Sequence, residues 1–167
     1  MPPTGGPQRF AILPKTGPRG RAYPRVVILP AAPDLGLVLV RTDYSDDRAW
    51  HAALSAATAV YVTDDFERMG ALLQPVESSD LSNLTPEELV ALPREGYISQ
   101  IAVADAQTMR DQTILFVDFN ELNEQVGRTF RSIPSELEDI VANLSIANMG
   151  FAEFADNTDP DGIFRGF

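Results

Sequence analysis

The sequence predicts a single α/β domain with a mixed sheet of about five strands, two main helices and a short C-terminal helix or turn. Short aliphatic runs of strand length alternate with two stretches of helical periodicity along the chain. Two of the predicted strands are separated by a short polar connection, which favours an antiparallel hairpin and therefore a mixed sheet. The chain has 167 residues, of which 44% are apolar, and this size fits one domain.

The first 33 residues differ in composition from the rest of the chain. They contain five basic residues, no acid, and many prolines and glycines. Residues 9–14 and 25–30 are similar apolar runs that each end in proline, and this pattern predicts two short edge strands, or one strand and an extended segment. We therefore divide the chain into a basic N-terminal arm, residues 1–33, and an acidic α/β domain, residues 34–167.

The acidic domain begins with a pattern typical of a β-α-β unit. Residues 37–40 form a continuous aliphatic run, which predicts a strand covered on both faces. Ser45 is the expected cap of a helix over residues 45–57, whose apolar stripe includes Trp50. Residues 59–63 then predict a second strand, parallel to the first.

Three more strands and a short helix are predicted in the middle of the domain. Thr85 and Glu88 form a capping box around Pro86, which predicts a helix that ends near Leu92. The strands are predicted over residues 98–105, 113–119 and 128–133. Residues 120–126 have the composition of a hairpin connection between the last two.

The C-terminal part predicts the second main helix and a packed tail. Ser135 and Glu138 indicate a capped helix over residues 135–148, which Gly150 ends. A short helix or turn follows. The tail ends in Phe164 and Phe167, and because two exposed aromatic rings are unfavourable we expect the tail to pack on the body or on a partner.

The net charge indicates which classes of partner suit the protein. The formal charge is −11 at pH 7, and from Asp34 onward eight arginines face 24 acids, which gives the domain a charge of −16. Such a surface repels phosphate backbones, so nucleic acid is an unfavourable partner and a basic protein a favourable one. No apolar run approaches the length of a membrane span, and no signal segment is recognised, so we expect a cytoplasmic protein without membrane contact.

The residue types that are scarce exclude several kinds of chemistry. The chain has no cysteine and one histidine, His51, which excludes thiolate nucleophiles and Cys/His zinc sites. Lys15 is its only lysine, so the acidic domain has no Schiff-base residue. Residues 157–162 are spaced like a calcium loop, but the glutamate required at its twelfth position is missing, and we interpret them as a turn. We predict neither a metal site nor a cofactor.

Acidic residues follow the first two predicted strands closely. If those strands are parallel, the acids meet at their carboxyl ends, where open α/β sheets bind ligands. We expect this edge to bind a basic partner, although the same acids would also serve the helix dipole and a loop. The binding candidates are Asp43, Asp46, Asp47, Asp64, Asp65 and Glu67.

An alternative function is a small cofactor-free enzyme of the isomerase, cyclase or dehydratase type, with His51 or an aspartate as the acid or base. Arg128 and Arg131 point to opposite faces of one predicted strand, so one of them could bind a substrate carboxylate or pair with Asp118, and we favour the pair with Asp118. The catalytic candidates are His51, Asp43, Asp118, Arg128 and Arg131. The pocket candidates are Tyr44, Trp50 and Tyr61.

Three sequence motifs carry a resemblance to a known family. They are LVRTDYSDD at residues 39–47, followed by AW; GRTFR at residues 127–131; and the C-terminal run from IPSE at residue 133, through NLSIANM, to DGIFRGF at the end. From Leu37 onward the chain resembles a family of small acidic proteins of actinobacteria and fungi whose domain has no known function. The resemblance implies no activity and assigns no role to any residue.

We therefore expect an acidic protein-binding module, of the toxin-neutralising, immunity or regulatory kind. The cofactor-free enzyme is the alternative. A third hypothesis is a homodimer that forms through the C-terminal tail.

Overall fold

The computed structural model describes residues 26–62, 65 and 67–167. This part of the chain forms eight strands and five α-helices. In chain order they are β1 (Leu37–Arg41), α1 (Asp47–Ala57), β2 (Tyr61–Val62), β3 (Glu67–Arg68), β4 (Leu73–Val76), α2 (Pro86–Val90), β5 (Gln100–Ala104), α3 (Ala106–Asp111), β6 (Ile114–Asp118), β7 (Thr129–Ser132), α4 (Leu137–Ser145), α5 (Phe151–Ala155) and β8 (Ile163–Phe164).

Six of these strands form one mixed sheet in the order β4-β1-β5-β6-β7-β8. Strand β1 is parallel to both β4 and β5, whereas β6 is antiparallel to its two neighbours, β5 and β7. Strand β8 is parallel to β7 at the far edge. The mixed α/β architecture and the hairpin between β6 and β7 are thus confirmed, with six strands in the main sheet instead of about five.

The sheet is covered on both faces. Leu39 belongs to a hydrophobic cluster with residues of α1, α4 and α5, and its neighbour Val40 belongs to a second cluster with residues of α2. This alternation follows from the side-chain period of a strand. All five residues of β1 are buried, as the continuous aliphatic run predicts.

A strand forms within residues 59–63, as predicted, but its predicted place beside β1 in a β-α-β unit is wrong. Strand β2 pairs antiparallel with β3 in a separate two-stranded ribbon, and the strands that lie parallel to β1 are β4 and β5. After the β2–β3 ribbon the chain passes very close to the end of α1. A Cβ atom on Gly70 would lie 2.0 Å from the carbonyl oxygen of Thr58, so this approach requires glycine. The sequence analysis does not predict β4.

Two helix caps differ from prediction. At α1 the cap is Asp46, whose carboxylate accepts a hydrogen bond from the backbone N–H of Ala49, and not Ser45. Ser135 does not cap α4 either, because Pro134–Glu136 form a 3₁₀ turn and the α-helix begins only at Leu137. The capping box of α2 at Thr85 is confirmed.

The predicted C-terminal end of the second main helix is also wrong. Helix α4 stops at Ser145, five residues before Gly150, and the chain leaves it through Ala147 with a positive φ of 55°. Gly150 instead precedes α5, the short helix expected at this position. Helix α3 is not predicted from the sequence.

Both ends of the described chain contain a residue that is buried in the domain. Phe164 in β8 is 1% exposed, so the expectation that the tail packs on the body is confirmed for this residue. Leu29 of the N-terminal arm is fully buried, where its N–H donates to the carbonyl of Pro93. The strand predicted over residues 9–14 lies outside the described residues. The one predicted over residues 25–30 is wrong for its described part, where Leu29 forms only an isolated bridge with Arg94. Within the described residues, the helices are all too short or too polar to cross a membrane.

Candidate functional site

An acidic edge forms where β1 and β4 end. Parallel strands bring their carboxyl ends to the same edge of a sheet, and the N–H of Asn83 fixes the segment after β4 by donating to the carbonyl of Thr42 over 2.8 Å. We call the acids that follow these two strands the acidic edge. Its members are Asp43, Asp46, Asp47, Glu77 and Asp80.

The buried cation of this edge is Arg41, the last residue of β1. Its side chain is 3% exposed and pairs with Asp47 over 2.6 Å and with Glu77 over 3.1 Å. The guanidinium carbon lies 4.5 Å from the ring centre of Tyr44 and 5.4 Å from that of Trp50. Burial alone would lower the pKa of Arg41, but the hydrogen bonds to both acids raise it above its usual value.

The two acids that pair with Arg41 remain accessible. The Asp47 side chain is 78% exposed and that of Glu77 is 47% exposed. The buried Arg41 therefore fixes both carboxylates in position, while the two acidic side chains remain accessible to solvent. The five carboxylates outnumber Arg41 and Arg110, the two cations that act on Asp43, so the edge remains negative.

Asp43 is fixed by its own turn. Its carboxylate accepts hydrogen bonds from the hydroxyl and the backbone N–H of Ser45, and these bonds lower the pKa of Asp43 below its ordinary value. The hydroxyl of Tyr44 donates to the carbonyl of Arg41 and accepts from the N–H of Ser78, so Tyr44 ties the ends of β1 and β4 together. Burial raises the pKa of the Tyr44 phenol.

The structure brings together part of the predicted binding set. Asp43, Asp46 and Asp47 lie at the acidic edge as expected. Asp65 and Glu67 are exposed but belong to the β2–β3 ribbon region, not to a strand parallel to β1, and Asp64 lies outside the described residues. The acids that follow the strand next to β1 are Glu77 and Asp80. The sequence analysis misses them because it does not predict β4.

A second ion pair lies farther along the same edge of the sheet. Asp105 caps α3 by accepting from the N–H groups of Gln107 and Thr108, and it also pairs with Arg131 of β7. Thr108 in turn donates to the carbonyl of Thr113 over 2.7 Å. Every member of this network has a partner within the chain, which indicates a structural role.

A cleft of about 1030 Å³ opens at the opposite edge of the sheet. It lies between the sheet and the segment that joins α4 to α5. Its apolar lining includes Leu37 and Met149, and its polar lining includes Gln100, Asp118 and Arg128. Gln100 and Asp118 are 7% and 3% exposed, respectively, so two polar side chains are buried at the wall of an open cleft.

The catalytic candidates are divided among three places. Asp118 and Arg128 line the cleft, whereas Asp43 and Arg131 lie at the other edge of the sheet. His51 is exposed on α1, with Nδ1 2.6 Å from the carbonyl oxygen of Asp47 one helical turn earlier. The structure therefore does not assemble the five residues into one constellation.

The pocket candidates do not line the cleft. Trp50 is 1% exposed and belongs to the core, where it packs under Arg41. Tyr44 joins β1 to the segment after β4, as described above. Tyr61 in β2 donates its hydroxyl to the carbonyl of Ala56, and burial raises the pKa of its phenol.

The predicted ion pair between Asp118 and either Arg128 or Arg131 does not form. Arg128 pairs with Asp156 and donates to Gln125, and Arg131 pairs with Asp105. Asp118 instead accepts hydrogen bonds from the backbone N–H of Asn120 and the side-chain amide of Asn123.

Comparison with known proteins gives one match. A family model for a domain of unknown function, DUF6924, matches residues 36–167. The chain belongs to this family. The match begins one residue before β1, so the DUF6924 domain contains the acidic edge together with Gln100, Asp118 and Arg128 of the cleft. No curated protein matches the chain.

The calcium-like loop of this DUF6924 domain binds an arginine of its own chain. Arg165 pairs with both Asp159 and Asp161, and its guanidinium lowers the pKa of Asp161. Among the described residues, no group of three or more histidine, aspartate or glutamate side chains is arranged to hold a metal ion. These aspartates therefore stabilise the turn before β8.

Proposed function

We propose that the domain binds a basic protein through its acidic edge and covers a positively charged site on that partner. Toxin-neutralising, immunity and regulatory proteins act in this way. The observation that carries the proposal is the geometry at Arg41: a buried guanidinium orients two carboxylates, one largely exposed (Asp47) and one about half exposed (Glu77).

The arrangement suits recognition because the charges are fixed before a partner arrives. Asp43 is held by Ser45, Asp46 by the start of α1, and Asp47 and Glu77 by Arg41. Ordering these side chains on binding therefore costs little conformational entropy. A fixed negative patch also steers a positively charged partner and accelerates association.

The test compares two triple variants of equal net charge. The edge variant carries Asp43→Asn, Asp46→Asn and Asp80→Asn. At positions 43 and 46 the asparagine retains an oxygen that can accept the local hydrogen bonds. The control variant carries Asp34→Asn, Glu95→Gln and Glu124→Gln, which are exposed acids outside the acidic edge. A protein captured from the native host is first identified and purified, and its dissociation constant is then measured for each variant at several salt concentrations.

We expect a basic partner whose affinity falls steeply with salt. The edge variant should weaken binding by about tenfold or more and flatten the salt dependence, whereas the control variant should change neither by more than about twofold. Binding that is insensitive to salt, or an equal loss in both variants, would contradict the proposal.

A further inference from the structure

We propose that the cleft at the opposite edge of the sheet binds a small organic cation that carries N–H donors, such as a primary ammonium or a guanidinium group on an aliphatic body. This binding site is separate from the acidic edge. The inference goes beyond the proposed function and does not depend on it.

The first observation is a buried carboxylate that no cation neutralises. Asp118 is 3% exposed, and its two oxygen atoms accept from the N–H of Asn120 over 2.9 Å and the side-chain amide of Asn123 over 2.7 Å. Among the described residues, Asp118 forms no ion pair, since the neighbouring Arg128 pairs with Asp156. Two amide bonds leave an ionised carboxylate able to accept further donors, and a buried charge is unfavourable without a counterion.

The second observation is a buried amide beside that carboxylate. Gln100 is 7% exposed, and its Nε2 donates to the carbonyl of Leu144 at the end of α4 over 3.4 Å. Within the described chain, no residue donates a hydrogen bond to its Oε1. Because Gln100 lines the cleft, this oxygen is a second acceptor at the same wall.

The two acceptors are held together by the register of the sheet. Gln100 lies directly opposite Asp118 in the antiparallel pair of β5 and β6, so their side chains share one face. The N–H of Asp118 points away from β5 and donates to Arg128 on the other side, which makes this a non-hydrogen-bonded pair. In such pairs the facing side chains approach most closely.

The chemistry of the ligand follows from this arrangement. One anionic and one neutral acceptor match a positively charged group with at least two N–H bonds. Leu37, Met149 and Phe151 line the same cleft and offer apolar surface for the rest of the ligand. A small aliphatic amine or an alkylguanidine satisfies both requirements.

The probes for the test are three hexyl compounds: n-hexylamine, which is protonated at pH 7; n-hexyltrimethylammonium, which has the charge but no N–H donors; and n-hexanol, which is neutral. Dissociation constants are measured from chemical-shift changes of the backbone amides that line the cleft. We expect n-hexylamine to bind at least about tenfold more tightly than either of the other two, because charged hydrogen bonds contribute this much. Equal affinity for all three probes would overturn the proposal.

Three variants locate the site. Asp118→Asn removes the charge, Gln100→Met removes the amide oxygen at similar size, and Glu124→Gln is a matched control that removes an exposed charge at the rim of the cleft. We expect the first to weaken n-hexylamine binding by about tenfold and the second by about threefold or more, with less than a twofold change in the control. A loss in the control as large as that in Asp118→Asn would overturn the proposal, because diffuse charge would then explain the binding.

Folding is checked by thermal melting of each variant. If Asp118→Asn lowers the melting temperature strongly, the test rests on the affinity of Gln100→Met for n-hexylamine. An unchanged affinity in that variant overturns the proposal. The edge variant with Asp43, Asp46 and Asp80 replaced should bind n-hexylamine normally, so this result separates the cleft from the function proposed for the acidic edge.

Discussion

At the scale of single residues, the acidic edge depends on Arg41, which the sequence analysis does not single out. An arginine at the end of a strand gives no signal of burial, because its surroundings come from α1 and from the segment after β4. Three of the binding candidates could be predicted, since Asp43, Asp46 and Asp47 lie next to a recognisable strand and helix. Glu77 and Asp80 could not, because their position depends on a pairing 36 residues away along the chain.

Replacing Arg41 by methionine should destabilise the fold by about 1–3 kcal/mol, because the methionine fills similar space but loses the hydrogen bonds to Asp47, Glu77 and the Asp43 carbonyl. The free energy of unfolding is measured by urea titration. The control is Arg128→Met, whose partner Asp156 is well exposed, with an expected cost below about 1 kcal/mol. Equal losses would show that Arg41 contributes no more than a surface ion pair.

The pKa of Asp43 gives a second prediction at this scale. Its folded-state pKa is lowered, mainly by the Ser45 hydroxyl, so its contribution to stability is present above the unfolded-state pKa and is lost as the pH falls through the folded value. Ser45→Ala should raise the pKa of Asp43, and Ser45→Thr should keep it low. Carboxyl carbon chemical shifts measured against pH report both, and a pKa that Ser45→Ala leaves unchanged would assign the shift to another cause.

At the scale of elements, the sequence predicts those stabilised by local signals and misses those stabilised by tertiary contacts. Strand β1 and the capping box of α2 follow from their own residues. Strand β4 contains Pro75, which reduces the strand signal and is tolerated here because β4 lies at the edge of the sheet. Helix α3 has only six residues and no clear apolar period, so neither its length nor its pattern predicts it.

The cap of α1 allows the structural role of Asp46 to be separated from its charge. Asp46→Ala should cost about 1 kcal/mol of stability, because the N–H of Ala49 loses its acceptor, whereas Asp46→Asn should cost only a few tenths. Both variants remove one negative charge, so both should weaken binding of a basic partner similarly. Stability is measured by thermal unfolding, and equal destabilisation by the two substitutions would contradict the capping role.

At the scale of the whole molecule, the two candidate sites lie at opposite ends of the same strands. Strand β1 runs from Leu37 at the cleft to Arg41 at the acidic edge, and it is buried throughout. The sequence could predict the acidic character of one end from composition. It could not predict the cleft, because Gln100 and Asp118 come together only through the register of β5 and β6.

The aromatic tail allows a test of which of its two phenylalanines stabilises the fold. Phe164 is 1% exposed and Phe167 is 78% exposed, although their ring centres are 5.0 Å apart. Phe164→Ala should therefore destabilise the fold by about 3–5 kcal/mol, and Phe167→Ala by less than about 1 kcal/mol. Urea unfolding measures both, and a large effect at Phe167 would show that the last residue belongs to the core.

Phe167→Ala also tests the homodimer hypothesis for the tail. If Phe167 contacts a second copy, Phe167→Ala should reduce the molecular mass seen by light scattering without lowering the stability of the monomer. An unchanged mass would remove the tail as a dimer contact.

Pro75 also limits strand addition at the border of the sheet that β4 forms. Proline has no N–H, so the outer side of β4 lacks one of the donors that an incoming strand would need. At the other border of the sheet, β8 is only two residues long. Neither border is a good template for strand addition, so the sheet resists growth into fibrils even though its central strands are rich in valine, isoleucine and leucine.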